Sequence, residues 1–202
     1  RLGAVNSAAH QIAANVAAVM YMLPLALGRA VGVLVGQAIG ARELARARST
    51  GLAGIAVGLV FAVASAATLA AGAPAVAAFY STDVNVQTVA AGLLVLVAGY
   101  HLFDALQAVA INALRGYKRA VIPLVVNVIG LWLVGLAGGY VIGLTGALGI
   151  PALGLATPLG VRGFWIAAMT GMAVASAGIL VYYLLVSAPH RARAEAKTAA
   201  TQ

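Results

Sequence analysis

Long apolar runs, separated by short polar or basic clusters, dominate the chain. They extend from about Ala4 to Gly40, Thr50 to Ala73, Val84 to Leu114, Ala120 to Leu148 and Gly163 to Ser187. A helix crosses a hydrocarbon core of about 30 Å with about 20 apolar residues, and every run reaches that length. Barrel strands instead alternate apolar and polar residues over about ten positions. The pattern predicts an all-α polytopic membrane protein with about five transmembrane helices, spread over residues 1–188 and followed by a polar, basic tail at 189–202.

The interruptions sharpen that outline. The first run exceeds what a bilayer needs, so its helix should tilt, bend or protrude. Pro24 falls inside it and should kink it by removing one backbone hydrogen bond. Pro74 should close the second run. Asp83, after Ser81 and Thr82, marks a helix N-terminus. Arg115 to Arg119 reads as a basic turn, Gly149 to Gly163 as a Gly/Pro-rich loop, and the segment from Pro189 as a frayed end.

Composition agrees with lipid as the solvent. The 202 residues are 63% hydrophobic and only 8% charged, whereas a soluble domain carries about 25% charge. Disorder is excluded, because disordered chains are poor in apolar residues. With no cysteine, there is no disulfide and no thiolate site. A net charge of +8 raises the question of nucleic acid, but the basic residues lie in short clusters between apolar runs and form no groove or basic helix, so no nucleic-acid partner is expected. The clusters Arg42/Arg46/Arg48, Arg115/Lys118/Arg119 and Arg191/Arg193/Lys197 occupy alternate connections and the tail. They therefore fall on one side of the membrane, which the positive-inside rule makes cytoplasmic, along with the C-terminus. The other end starts outside, begins with Arg1 and has no signal peptide, so further spans are expected upstream.

Asp104 is the only acid inside a predicted span, flanked by Leu102, Phe103, Ala105 and Leu106. An ionised carboxylate at that depth costs at least about 2.5–3.5 kcal/mol, and such residues are functional by default. Tyr100, His101, Gln107 and Asn112 lie at i−4, i−3, i+3 and i+8, on or near the same face. That stripe faces a cavity or other helices, and a carboxyl group on it is suited to exchanging a proton or Na⁺. A competing reading pairs Asp104 with His101 or with a base on another helix. In the first span, His10 with Asn6, and Gln11 and Asn15 with Ser7, form a second polar face that either joins helices or lines the cavity. Arg29 could snorkel to the cytoplasmic interface. Five of the 24 glycines (Gly130, Gly135, Gly138, Gly139 and Gly143) concentrate in the fourth span and read as tight packing or hinges. Trp132, Trp165, Tyr182 and Tyr183 read as interface anchors or packing. No phosphate-binding loop, G-x-S-x-G, H-E-x-x-H or carboxylate pair is present. No enzyme, no cofactor and no metal other than Na⁺ at Asp104 is expected.

Several strings resemble the multidrug and toxic compound extrusion (MATE) transporter family, in the C-terminal half of its NorM-like branch. Ala9-His10-Gln11-Ile12 with Asn15, Met22-Leu23-Pro24-Leu25 and Gly36-Gln37-Ala38-Ile39-Gly40 are similar to its eighth helix. Tyr100 with Asp104-Ala105-Leu106-Gln107, then Leu114-Arg115-Gly116-Tyr117-Lys118, are similar to its tenth, and Gly163-Phe164-Trp165 to the start of its twelfth. Leu34 and Arg119 depart from the usual pattern, which has Arg and an acid there. The resemblance implies most of the C-terminal lobe of a twelve-helix, two-lobe exporter. Such an exporter sits in the bacterial inner membrane, contacts lipid and small cationic drugs, and exchanges them for Na⁺ or H⁺. It implies that Asp104 is the cation-coupling carboxylate and Tyr100 its neighbour. It also implies that the N-terminal lobe and the preceding helix, absent here, are partners. Two alternatives remain: a lipid-linked or polysaccharide flippase of related fold, for which Arg29 is the only evident phosphate-binding base, and a truncated remnant with an assembly role.

Overall fold

A computed structural model describes residues 3–145 and 159–199, with side chains in the last helix through residue 188. The expected loop residues 149–158 and the side chains of the basic tail lie outside the described residues. Every described element is helical. We label the helices α1 (Gly3–Gly40), α2 (Leu44–Tyr80), α3 (Val84–Gly116), α4 (Val121–Thr145) and α5 (Gly160–Ala199). All five are long and apolar enough to cross a membrane. Their outward faces carry large apolar side chains such as Val60, Val121, Leu133 and Leu185, each more than half exposed, as lipid contact requires.

α3 is the central element. It packs against α1, α2 and α5, and one full side of it is buried from Val86 to Leu114. Two apolar clusters hold the bundle. One joins Ile12, Val16, Leu69, Leu93, Leu94, Val97 and Trp165. The other joins Val31, Val35, Ile55, Val109, Leu114, Ile179 and Tyr183. On α3 the clusters are separated by the turn that carries Asp104.

Helix association in lipid depends on close packing rather than on expelling water. α1 meets α3 along Gly28 and Gly32, where the backbones nearly touch. A Cβ added at Gly28 would come 2.8 Å from the Ala108 carbonyl oxygen, and one at Gly32 would come 2.7 Å from that of Asn112. These glycines belong to a four-residue ladder, Gly28, Gly32, Gly36 and Gly40, facing Ala108, Asn112 and Gly116 of α3. The fourth-span glycines pack in the same manner: Gly130 lies on Gly171, while Gly139 and Gly143 cradle Phe164.

The basic segments gather at one end of the bundle. Arg48 donates to the Ser187 hydroxyl at 2.9 Å, and the Tyr183 hydroxyl donates to the Arg48 carbonyl at 3.0 Å. Two helices stop there in the same manner. In α1 the amides of Arg42 and Glu43 donate to the carbonyls of Ile39 and Ala38. In α3 those of Lys118 and Arg119 donate to Arg115 and Leu114. This is the Schellman arrangement, whose left-handed position usually holds glycine. Here it holds Arg42 (φ 62°) and Lys118 (φ 60°).

Several boundaries differ from the sequence pattern. Pro74 does not close the second helix, which continues to Tyr80 with the proline inside. Membrane helices tolerate proline because neighbouring groups satisfy the freed carbonyl. Pro24 is likewise internal to a continuous α1. The fourth helix widens into π-helical turns over Ile129–Ala137 and Val141–Thr145, a feature that periodicity does not reveal. The segment expected to fray after Pro189 continues α5 to Ala199. Asp83 does cap α3, its carboxylate accepting the Asn85 amide at 2.8 Å.

Two stability predictions follow from this packing. Gly32→Val places a branched side chain against immovable backbone and should cost about 1–3 kcal/mol, visible as a lower thermal midpoint in detergent. Lys118→Gly relieves left-handed strain of about 1–2 kcal/mol and should raise the same midpoint.

Candidate functional site

The turn of α3 between the two apolar clusters opens onto a cavity of about 440 Å³ shared by α1, α3, α4 and α5. α3 lines it with Tyr100, Asp104, Gln107, Asn112 and Arg115. With Ala108 and Ile111, which also line it, these positions recur every three or four residues and therefore share a face. α1 contributes Tyr21, α4 Asn127 and α5 Met172.

Asp104 is half-buried and makes no hydrogen bond or ion pair with any described residue; the one ion pair among them is Arg46–Glu43, 2.8 Å apart in the basic segment. The Tyr21 and Tyr100 side chains line the same cavity. Gln107 donates through Nε2 to Asn127 Oδ1 and ties α3 to α4. The Gln107 Oε1 is buried without a partner among the described residues. Asn112 donates to the Ala108 carbonyl at 2.8 Å and accepts from Arg115 Nη1 at 3.2 Å.

A second cavity of about 400 Å³ adjoins the first across Ala17, Tyr100 and Leu131. Its wall holds His10, Tyr100, Phe164 and Trp165. The Trp165 ring stands edge-on to Tyr100, with centroids 6.0 Å apart, and lies 5.9 Å from His10.

The structure brings Tyr100, Gln107 and Asn112 to the Asp104 cavity and assigns the other candidates elsewhere. His101 is buried against α2, its Nε2 3.0 Å from the Ser65 hydroxyl, so it neither lines the cavity nor pairs with Asp104. Its position at i−3 is about 60° from the cavity face, enough to aim it at a different neighbour. Asn15 accepts the Tyr80 hydroxyl at 2.8 Å and joins α1 to the end of α2. Gln11 is exposed and lines neither cavity. His10 belongs to the aromatic cavity rather than to the Asp104 cavity. Arg29 stays outside both cavities, and the cation at the edge of the Asp104 cavity is Arg115. The pattern also missed Tyr21 and Asn127. Asn127 was legible as the only amide in its apolar run.

One carboxylate surrounded by phenol and amide groups suits a singly charged cation or a proton. No group of three His, Cys, Asp or Glu side chains able to hold a metal ion occurs among the described residues.

Residues 1–141 match the family model described as MatE. The chain is 42% identical to the probable multidrug resistance protein NorM of Aromatoleum aromaticum over 87% of its length, and 34% identical to the multidrug resistance protein NorM of Photobacterium profundum over 87%. It spans 37% of the length of each of these relatives. Among solved structures, the eukaryotic MATE transporter AtDTX14 superposes with a TM-score of 0.77 at 19% identity, covering 94% of this chain and 41% of that one. An inward-facing multidrug resistance MATE family transporter superposes at 0.69 and 17% identity, covering 93% and 43%. These superpositions show a shared fold.

The Gln107–Asn127 bond should behave as an interhelical tie. A double-mutant cycle with Gln107→Ala and Asn127→Ala, read by unfolding in detergent, should give a coupling of about 0.6 kcal/mol, typical of hydrogen bonds between membrane helices.

Proposed function

The chain belongs to the MatE family, and from that premise we propose that it forms the C-terminal, cation-coupling half of a secondary active multidrug exporter. The observation that carries this reading is Asp104. Of the four acids in the sequence it alone lies within a span, and it faces a cavity with Tyr21, Tyr100, Gln107 and Asn127.

An unpaired carboxylate inside a membrane is costly as an anion, and that cost falls when Na⁺ or H⁺ neutralises it. A cationic drug offers the same neutralisation. If either cation, but not both, occupies the charge, release of one favours binding of the other. Exchange then follows from competition for one site, by the same linkage that couples any two ligands. The Tyr21 and Tyr100 side chains, which line the same cavity, offer hydroxyls that could replace water around the coupling ion. The apolar, aromatic cavity beside Tyr100 is suited to flat lipophilic cations. An N-terminal lobe would close the opposite wall.

In this reading the protein belongs in a bacterial inner membrane with its basic end toward the cytoplasm, the orientation that the positive-inside rule favours. A flippase for lipid-linked phosphates would need several cations in its transport cavity, whereas only Arg115 reaches this one, at its edge. That favours the exporter.

The test is efflux of a fluorescent cation by the intact transporter under separate Na⁺ and H⁺ gradients. Asp104→Asn should abolish gradient-driven efflux and leave the amount of protein inserted in the membrane unchanged. Wild-type efflux from that variant would overturn the assignment. Efflux driven by one gradient alone would identify the ion.

A further inference from the structure

The basic end contains a feature that export does not use. Between the last three turns of α1 and the end of α3 lies a groove of about 870 Å³. Arg29 lines it from α1, Arg115 from the last turn of α3, and Lys118 from the turn after it. No carboxylate among the described residues lines the groove. Glu43 is paired with Arg46, and Asp83 caps the opposite end of α3. The side chains of Arg29 and Lys118 make no hydrogen bond or ion pair with any described residue, and Arg115 spends one donor on Asn112 at 3.2 Å. Three cations therefore converge on one space and leave most of their donors unspent.

The shape of the groove is as specific as its charge. Its floor is the lower half of the glycine ladder, Gly36 and Gly40, with Gly116 opposite. A Cβ at Gly36 would meet nothing closer than the Gly116 Cα at 3.9 Å, and one at Gly40 would meet nothing within 4 Å. The upper half of the ladder is filled by α3, but this half is open. Val33 lines the groove and is 60% exposed, an apolar side chain at its open edge. The occupant must therefore be anionic at one end and apolar at the other, at the level where the span meets the basic loops.

We propose that this groove is a binding site for an anionic phospholipid, whose phosphate is held by Arg29, Arg115 and Lys118 and whose acyl chain leaves past Val33. Basic pockets between membrane helices on the cytoplasmic side bind such headgroups. A guanidinium presents a planar fork of donors that matches phosphate geometry, and the lysine adds a point charge. The left-handed Lys118 also gains a reason for being there. Glycine would relax the turn, but only a cation adds charge to the groove. The groove adjoins the Asp104 cavity at Asn112 and Arg115, but Asp104 does not line it, and the proposal does not depend on the export reading.

The test uses the intact transporter purified in detergent and native mass spectrometry with equimolar phosphatidylglycerol and phosphatidylcholine. The wild type should retain phosphatidylglycerol preferentially. Each basic residue near an anionic lipid surface contributes about a fivefold factor in affinity, so the pair Arg29→Gln and Lys118→Gly should lower retention about 25-fold. Lys118→Gly should not harm folding, so a loss of lipid with an unchanged or raised thermal midpoint separates binding from stability. Gly36→Leu should weaken retention by filling the groove at constant charge, and Asp104→Asn should leave it unchanged. Wild-type selectivity in the double variant would overturn the proposal. So would displacement of the lipid by an equal concentration of glycerol 1-phosphate, which would make this a site for soluble phosphates.

Discussion

The contact on which the rest of the structure depends is the near-touch of two backbones at Gly28 and Gly32 of α1 against Ala108 and Asn112 of α3. In lipid, apolar side chains gain little by leaving one apolar environment for another, so helices hold together where their atoms can approach most closely. A side chain at either glycine would collide with a carbonyl oxygen of the partner helix. Because α1 is pinned at that level, everything above and below it on the same face is positioned. About two turns above Gly28, Tyr21 comes to the Asp104 cavity. Below Gly32 the ladder itself meets α3 less closely, with ordinary contact at Gly36 and none at Gly40, and the basic groove lies there. One packing constraint thus sets both polar features of the bundle.

Those features lie where the apolar core gives out. The two clusters of buried Val, Leu, Ile and Ala leave a waist on α3 at Asp104, and the polar groups of three helices gather there. Most are already engaged: Gln107 with Asn127, Asn112 with Ala108 and Arg115. Asp104 is different, since it faces open space with no partner among the described residues. A carboxylate that served only to join helices would be expected to hold a donor. His101, one turn away, shows what such a role looks like, buried at 2% exposure and bonded to Ser65 on α2.

Much of this was legible in the sequence, and the limits of legibility have a physical cause. The five spans follow from length and hydropathy, and the membership of the MATE fold follows from strings whose order covers most of the chain. Tyr100, Asp104, Gln107 and Asn112 could be grouped because positions along one helix are related by a fixed rotation of about 100° per residue. What that rotation cannot give is the azimuth of the neighbouring helices. For this reason His101 was grouped with the cavity although Ser65 of α2 claims it, and Asn15 stayed open between lining the cavity and joining helices, where it bonds Tyr80 of α2. Asn127 was overlooked because its relation to Gln107 exists only between helices. The glycine ladder at four-residue spacing is visible in the sequence and marks one close approach of backbones, and the glycine-rich fourth span marks another, Gly130 against Gly171.

The helix ends illustrate the same limit at the level of single dihedrals. Gly40 and Gly116 look like ordinary helix stops, but the left-handed residue falls two positions later, at Arg42 and Lys118. An L-residue there costs about 1–2 kcal/mol, and a cation at a helix C-terminus recovers about 0.3–1 kcal/mol from the macrodipole. The dipole therefore offsets only part of the strain. The positive-inside bias can account for charge at this end of the bundle in general, but it acts equally well on any loop position and does not require the strained one. At Lys118 the additional element is geometric: the left-handed turn brings the chain back over the groove already lined by Arg29 and Arg115. Strain held at a position where glycine would be easier, and where three like charges meet without a carboxylate, makes physical sense when an anion completes the site.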